Sequence, residues 1–264
     1  MLTEAQIAHF QTFGFLVIRQ AFTRSEVETL IREADAAYAA KSDREEDGSS
    51  SMWTSELVEE RPALMKLMED DRIYLSIGGL LGRDFIWNGS EIMWGIDPTL
   101  ADHTWHFDGH KTSRNLDYPR TKVMLYLDPQ RKDTGALRVI PGSHRDPLHK
   151  ALFPLQDAHL GGDPNPFGVE GPRIPACAVE TDPGDIVFFN QWLYHAVYGK
   201  EGKRRVIVLK FGPRPRTDAH LAMLRDGAPA GFAPHPALSN SKRPRIRRLA
   251  EACSELEAQV EKLD

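Results

Sequence analysis

Two stretches decide the architecture: Asp185-Ile186-Val187-Phe188-Phe189 and, after a connection bearing Gly199 and Gly202, Arg204-Arg205-Val206-Ile207-Val208-Leu209-Lys210-Phe211. Both are short, apolar and rich in β-branched or aromatic residues, which predicts strands. Runs of the same kind lie at 85–96, 122–127 and 136–140. Proline, glycine and polar residues separate them, without helices of the length that repeated βαβ units require. No glycine-rich phosphate loop accompanies them, so a Rossmann reading has no support. The expectation is an antiparallel double sheet, mainly β, with helices packed outside it.

The helices are predicted upstream of these strands. Thr3 caps the first, with Gln6 at the capping-box position, Ile7 and Phe10 on an apolar stripe, and Gly14 at its end. Phe15-Leu16-Val17-Ile18 then reads as a strand. Thr23 and Glu26 repeat the capping pattern before Val27, Leu30, Ile31, Ala34 and Tyr38 at helical spacing. A third helix is expected over 62–81, stopped by Gly82. Residues 41–51 read as an exposed connection, 152–175 as a long loop over or beside the sheet, and 212–244 as irregular. Leu249, Cys253, Leu256, Val260 and Leu263 form the apolar stripe of a C-terminal helix. That stripe is read as sealing its own subunit, with a homodimer through the helix as the alternative.

The 264 residues carry 33 Lys and Arg against 38 Asp and Glu, a formal charge of −5, with 41% hydrophobic residues. That content is ample for a core, and apolar runs such as 206–209 are too short to span a bilayer, so no membrane role is expected. The acidic balance argues against nucleic acid as a partner, and the basic run 242–248 reads as a solvated approach to the last helix. Cys177 and Cys253 make neither a disulfide framework nor, by themselves, a thiolate metal site. The N-terminus shows no secretory pattern, so a cytoplasmic location is the default expectation.

The chemistry concentrates in Trp105-His106-Phe107-Asp108-Gly109-His110 and in Tyr194-His195. On an extended strand His106 and Asp108 project from one face, because side chains repeat every second residue. With His195 from a distant strand they supply two imidazoles and one carboxylate, the facial set suited to non-haem Fe(II) with three positions left open. His110 reads as a surface or supporting histidine, and His103 is left outside the ligand set. Arg204 and Arg205 fall on opposite strand faces, and a guanidinium suits the planar carboxylate of a cosubstrate. Ser143 and His144 are read as turn-stabilising residues, and Trp94 and Trp192 as core aromatics.

These residues, with Ile140-Pro141-Gly142-Ser143-His144-Arg145, make the chain resemble the phytanoyl-CoA dioxygenase family of Fe(II)/2-oxoglutarate-dependent oxygenases, from Gly14 through Phe211. Thr134-Gly135-Ala136-Leu137 and Pro183-Gly184-Asp185 look like that family's turns. The resemblance implies a double-stranded β-helix, a cupin-like jelly roll. Residues 1–264 would form one oxygenase domain, with N-terminal helices and a C-terminal helix at 246–264. Iron would be held by His106, Asp108 and His195. The distal carboxylate of 2-oxoglutarate would rest on Arg204, chosen by aligning Phe211 with the aromatic end of the family's strand; a slip in that alignment exchanges it for Arg205. Lys122 and Met124 are expected on the wall of the same pocket.

The implied reaction is hydroxylation of a small organic metabolite by O₂, with 2-oxoglutarate leaving as succinate and CO₂. Asp108 keeps a carboxylate where related halogenating enzymes need an open halide position. Three alternatives stand beside hydroxylation. One is a different 2-oxoglutarate-dependent oxidation, whether desaturation, cyclisation or epimerisation. The others are a cupin-like metal hydrolase or isomerase and a non-catalytic metabolite-binding protein. Nothing in the sequence selects the substrate.

Overall fold

The first helix, α1 (Glu4–Phe13), begins at a Thr3–Gln6 capping box and ends where Gly14 turns left-handed at φ 83°. A Cβ at that position would stand 2.6 Å from His144 Nδ1, so the turn also requires close packing that only glycine permits. β1 (Phe15–Ile18) follows, then α2 (Arg24–Ser42), capped reciprocally by Thr23 and Glu26. The computed structural model describes residues 1–42, 53–55, 57–95, 102–109, 111–112, 114–201, 204–226 and 234–260. His110, Gly202, Leu263, the side chains of Trp94 and Val260, and most of the 41–51 connection lie outside the described residues. The next elements are β2 (Trp53–Ser55), α3 (Leu57–Glu60), α4 (Pro62–Met65), α5 (Asp71–Leu81), β3 (Phe85–Gly95), β4 (His103–His106), β5 (Thr121–Tyr126) and β6 (Leu137–Val139). After them come α6 (Leu148–Ala151), α7 (Phe153–His159), β7 (Cys177–Val179), β8 (Ile186–Asn190) and β9 (His195–Val197). The chain continues through β10 (Arg204–Pro213), α8 (Asp218–Asp226), α9 (Pro236–Ser239) and α10 (Pro244–Val260).

Antiparallel pairing builds a six-stranded sheet, β1-β8-β5-β10-β3-β2, and a four-stranded sheet, β4-β9-β6-β7. This is the antiparallel double sheet that the strand pattern predicts, arranged as the jelly roll that the family resemblance implies. The larger sheet is buried on both faces, and strand alternation divides its side chains between two cores. Ile207, Leu209 and Phe211 of β10 join Val123 and Leu125 of β5 against the helices. Val206 and Val208 of β10 join Met124 and Tyr126 of β5 against Leu137, Val139 and Val197 of the smaller sheet. Each such side chain contributes about 1.5–3 kcal/mol by leaving water. A third, mostly aromatic cluster, including Trp105, Phe107, Tyr118, Trp192 and Tyr194, lies behind the metal-binding strands.

Three expectations need correction. The helix expected over 62–81 is broken into α4, a 3-10 turn (Lys66–Met68) and α5, because the Asp70 carboxylate accepts from the Arg72 backbone N–H and starts a new helix. The loop expected over 152–175 contains α7, which packs on β4. The irregular region 212–244 holds the end of β10 and the helices α8 and α9. Short amphipathic turns of helix rely on tertiary burial, which local periodicity does not display.

The described part of the α10 stripe is buried within the chain: Leu249, Cys253 and Leu256 are at most 4% exposed, as is Ile246 near the start of the helix. The preceding basic run is engaged as well. Arg245 Nη1 stands 2.6 Å from Asp71, Arg243 Nη1 stands 2.8 Å from Glu69, and Arg248 donates to the Tyr74 hydroxyl. Among the described residues no helix is long and apolar enough to cross a membrane.

Candidate active site

β4 and β9 are adjacent antiparallel strands, and their register sets His106 directly opposite His195. The two imidazole centroids are 4.3 Å apart. Each ring is oriented by its own strand: His106 Nδ1 lies 2.7 Å from Thr104 O and His195 Nδ1 lies 2.9 Å from Leu193 O. A carbonyl only accepts, so both Nδ1 atoms carry the proton and both Nε2 lone pairs are free for a metal. Burial lowers the affinity of both rings for a second proton.

Asp108 follows just beyond the end of β4. Its backbone N–H donates to Gln191 O, and Phe107 N–H donates to Gln156 Oε1 on α7, which fixes the turn between the two ligands. Phe107 points away from the cavity, within 5.7 Å of the Trp192 ring, consistent with Trp192 as a core aromatic. Lys122 Nζ stands 3.0 Å from Asp108 Oδ1. Asp108 Oδ2 is buried, has no hydrogen-bond partner among the described residues, and faces His195 Nε2 at 3.8 Å. Burial raises the pKa of this carboxyl, but Lys122 and the two histidines outweigh it and hold it well below the usual carboxylate range.

One donor atom from each of His106, Asp108 and His195 lies within 4.8 Å of the others. Two neutral imidazoles and an ionised carboxylate with an unsatisfied oxygen fit a divalent metal of the Fe(II) type. The three residues line a cavity of about 270 Å³ together with Lys122, Met124 and Arg204. The structure thus brings together all six residues singled out in the sequence. A more open groove of about 640 Å³, between α1, α5 and residues 114–119, contains none of them.

The two adjacent arginines separate by strand parity. Arg204 shares the inner face with Val206 and Val208; its Nε donates to Gly135 O at 3.3 Å, and it pairs with no carboxylate among the described residues. Burial opposes its charge and lowers its pKa. Arg205 turns to the helix side, where Asp128 at 2.7 Å and Asp35 of α2 at 2.9 Å neutralise it. Lys122 lies on the cavity wall as expected, but its ammonium is engaged by Asp108 rather than free for an incoming anion.

Ser143 and His144 hold the turn after β6. Ser143 Oγ accepts from Tyr194 N–H at 2.8 Å, beside the ligand His195, and His144 Nε2 lies 3.2 Å from Gln11 O. Three polar cavity residues were not placed there by the sequence reading: Glu91 and His159, which it did not single out, and His103, which it left outside the ligand set. His159 lies on α7, stacks on His106 at 4.4 Å between centroids, and its Nδ1 is 2.7 Å from Thr104 Oγ1. Only Glu91 had a visible signal, because it shares strand parity with Met93 in the 85–96 run.

A two-histidine, one-carboxylate facial site inside a jelly roll defines the non-haem iron oxygenases as a class. The profile of the phytanoyl-CoA dioxygenase (PhyH) family matches residues 10–205, and the chain belongs to that family. It is an enzyme of the Fe(II)/2-oxoglutarate oxygenase type, with Fe(II) and 2-oxoglutarate as its cofactors. HygX from Streptomyces hygroscopicus, solved with nickel and 2-oxoglutarate bound, is similar in structure, with a TM-score of 0.63 and 21% identity over 80% of this chain and 87% of that one. EctD from S. alaskensis, solved with 2-oxoglutarate and 5-hydroxyectoine, has a TM-score of 0.63 and 21% identity over 81% of this chain and 77% of that one. The non-heme monooxygenase ThoJ, as its nickel complex, has a TM-score of 0.61 and 16% identity over 79% of this chain and 77% of that one. At these identities the three structures speak for the fold. No curated protein sequence matches the chain significantly.

Proposed function

We propose that residues 1–264 act as one oxygenase domain that hydroxylates a small organic metabolite. The balanced reaction is R–H + O₂ + 2-oxoglutarate → R–OH + succinate + CO₂. One observation carries this reading: a single cavity presents a metal-donor triad in one part and, in another, a buried guanidinium that pairs with no carboxylate among the described residues. Lys122 pairs across the sheet with Lys210, six residues along β10 from Arg204, so the two cations stand apart along the cavity wall.

His106, Asp108 and His195 would hold the metal, which when bound supplies the one-electron chemistry of O₂ that no side chain offers. Arg204 would receive the distal carboxylate of 2-oxoglutarate, with Met124, Val208 and Leu137 as the dry walls that strengthen the pairing. Lys122 would fix Asp108 by one oxygen and leave the other for the metal. The stacked His159 restrains the ring plane of His106.

The test is anaerobic addition of Fe(II) and 2-oxoglutarate to purified protein, followed by admission of O₂ with candidate metabolites. A visible charge-transfer band and O₂-dependent succinate are expected from the native chain and from neither in Asp108→Ala. A native chain that binds no Fe(II) under these conditions would overturn the proposal.

A further inference from the structure

Among the described residues, two that line the cavity each carry a side-chain oxygen buried without a hydrogen-bond partner: Asp108 its Oδ2 and Glu91 its Oε2. A metal accounts for the first. Nothing in the proposed chemistry accounts for the second, since Glu91 is not among the residues that converge as a metal-donor group.

Glu91 stands on β3 opposite Val208 of β10, which stands opposite Met124 of β5. This row crosses the cavity floor next to the row that carries Lys210 and Lys122. Lys210 Nζ holds Glu91 Oε1 at 2.6 Å, so the carboxylate is anchored by one oxygen and free at the other. The nearest cavity walls in its sheet, Met93, Met124 and Val208, offer no N–H or O–H from their side chains. A buried acceptor with unused lone pairs is costly unless a donor arrives. Arg204 and Lys122 are each committed in the proposed reaction, one to the cosubstrate and one to Asp108.

We infer that Glu91 Oε2 receives an N–H or O–H group of the substrate, so that the substrate is a polar, amine- or hydroxyl-bearing metabolite at the end that approaches the iron. A purely hydrocarbon acyl chain would bury this carboxylate oxygen with no partner. The inference rests on the oxygenase reading and names the substrate class for the same site.

The test uses Fe(II)- and 2-oxoglutarate-loaded enzyme with a panel of cyclic amines, amino sugars, polyols and straight-chain acyl thioesters, scored by substrate-stimulated succinate. Amine- or hydroxyl-bearing compounds are expected to stimulate. Glu91→Leu should raise the KM for the active compound about 10- to 100-fold while changing kcat much less. Glu91→Gln keeps an acceptor for Lys210 and separates the two donors, since it should penalise a cationic amine far more than a hydroxyl. The anaerobic Fe(II)/2-oxoglutarate band should persist in both variants. Stimulation by acyl thioesters alone, silence from every amine and hydroxyl compound, or an unchanged KM in Glu91→Leu would overturn the inference. Absence of the anaerobic band from the native enzyme would instead strike the oxygenase reading beneath it.

Discussion

Lys122 Nζ lies 3.0 Å from Asp108 Oδ1, while Asp108 Oδ2, on the same carboxylate, has no hydrogen-bond partner among the described residues and faces His195 Nε2. The lysine therefore divides the labour of the two oxygens, one orienting and one left to coordinate. Replacing it with methionine keeps much of the stem and removes the ammonium. Lys122→Met is expected to weaken Fe(II) binding about 10- to 100-fold, read by anaerobic titration of the charge-transfer band. Unaltered Fe(II) affinity would show that the carboxylate is positioned without it.

Arg204 and Arg205 should fail in different ways. Arg204→Met should raise the KM for 2-oxoglutarate about 10- to 100-fold, the worth of a charge-assisted pair, with little change in melting temperature. Arg205→Met strips the counter-charge from the buried Asp128 and should destabilise the fold by about 3–5 kcal/mol, a fall of roughly 10 °C. Its affinity for 2-oxoglutarate should stay near native. Exchange of the two phenotypes would mean that the strand faces are assigned the wrong way round.

Acid should expose the ion pair that ties α2 to α5. Hydrogen bonds from Arg72 and Thr23 pull the Glu26 pKa down to about 2 in the folded chain, against an ordinary value of 4.5. Because the folded value is depressed, the ionised pair stabilises the fold fully above about pH 4.5, and this contribution is lost as pH falls toward 2. Glu26→Gln retains a capping acceptor but loses the charge. It should melt a degree or two below the native chain at neutral pH, in keeping with about 0.5 kcal/mol for a partly exposed pair. The gap should narrow on acidification below about pH 4.5, as followed by thermal unfolding from pH 7 down to pH 3.

The α10 stripe yields a prediction about assembly. Leu249 is fully buried inside its own chain. Leu249→Ala should therefore cost about 2–5 kcal/mol in stability, measured by denaturant unfolding, without altering the elution volume of the folded protein. A shift to a smaller species at unchanged stability would assign the stripe to contacts between subunits.

Much of this protein is legible from its residues in order. The strand at 204–211, the capping boxes at Thr3 and Thr23, the left-handed Gly14 and the histidine and aspartate two residues apart all carry their reason locally. Such features depend on alternation, capping and backbone freedom within a few neighbouring residues. The break at Asp70 and the helix over 153–159 were not legible, because their stability comes from surfaces contributed by remote parts of the chain.

Sequence by itself determined the donor types, the antiparallel character of the sheets and the candidate ligands His106, Asp108 and His195, since side-chain chemistry and strand period are properties of the chain as written. Only the tertiary structure decided that Lys122 grips Asp108, that Arg205 rather than Arg204 is neutralised by Asp128 and Asp35, and that Glu91, a residue of the cavity wall, keeps one oxygen without a partner among the described residues. These relations join residues 14 to 170 positions apart. Charge pairing depends on distance and desolvation, and neither exists until the two sheets close around their common interior.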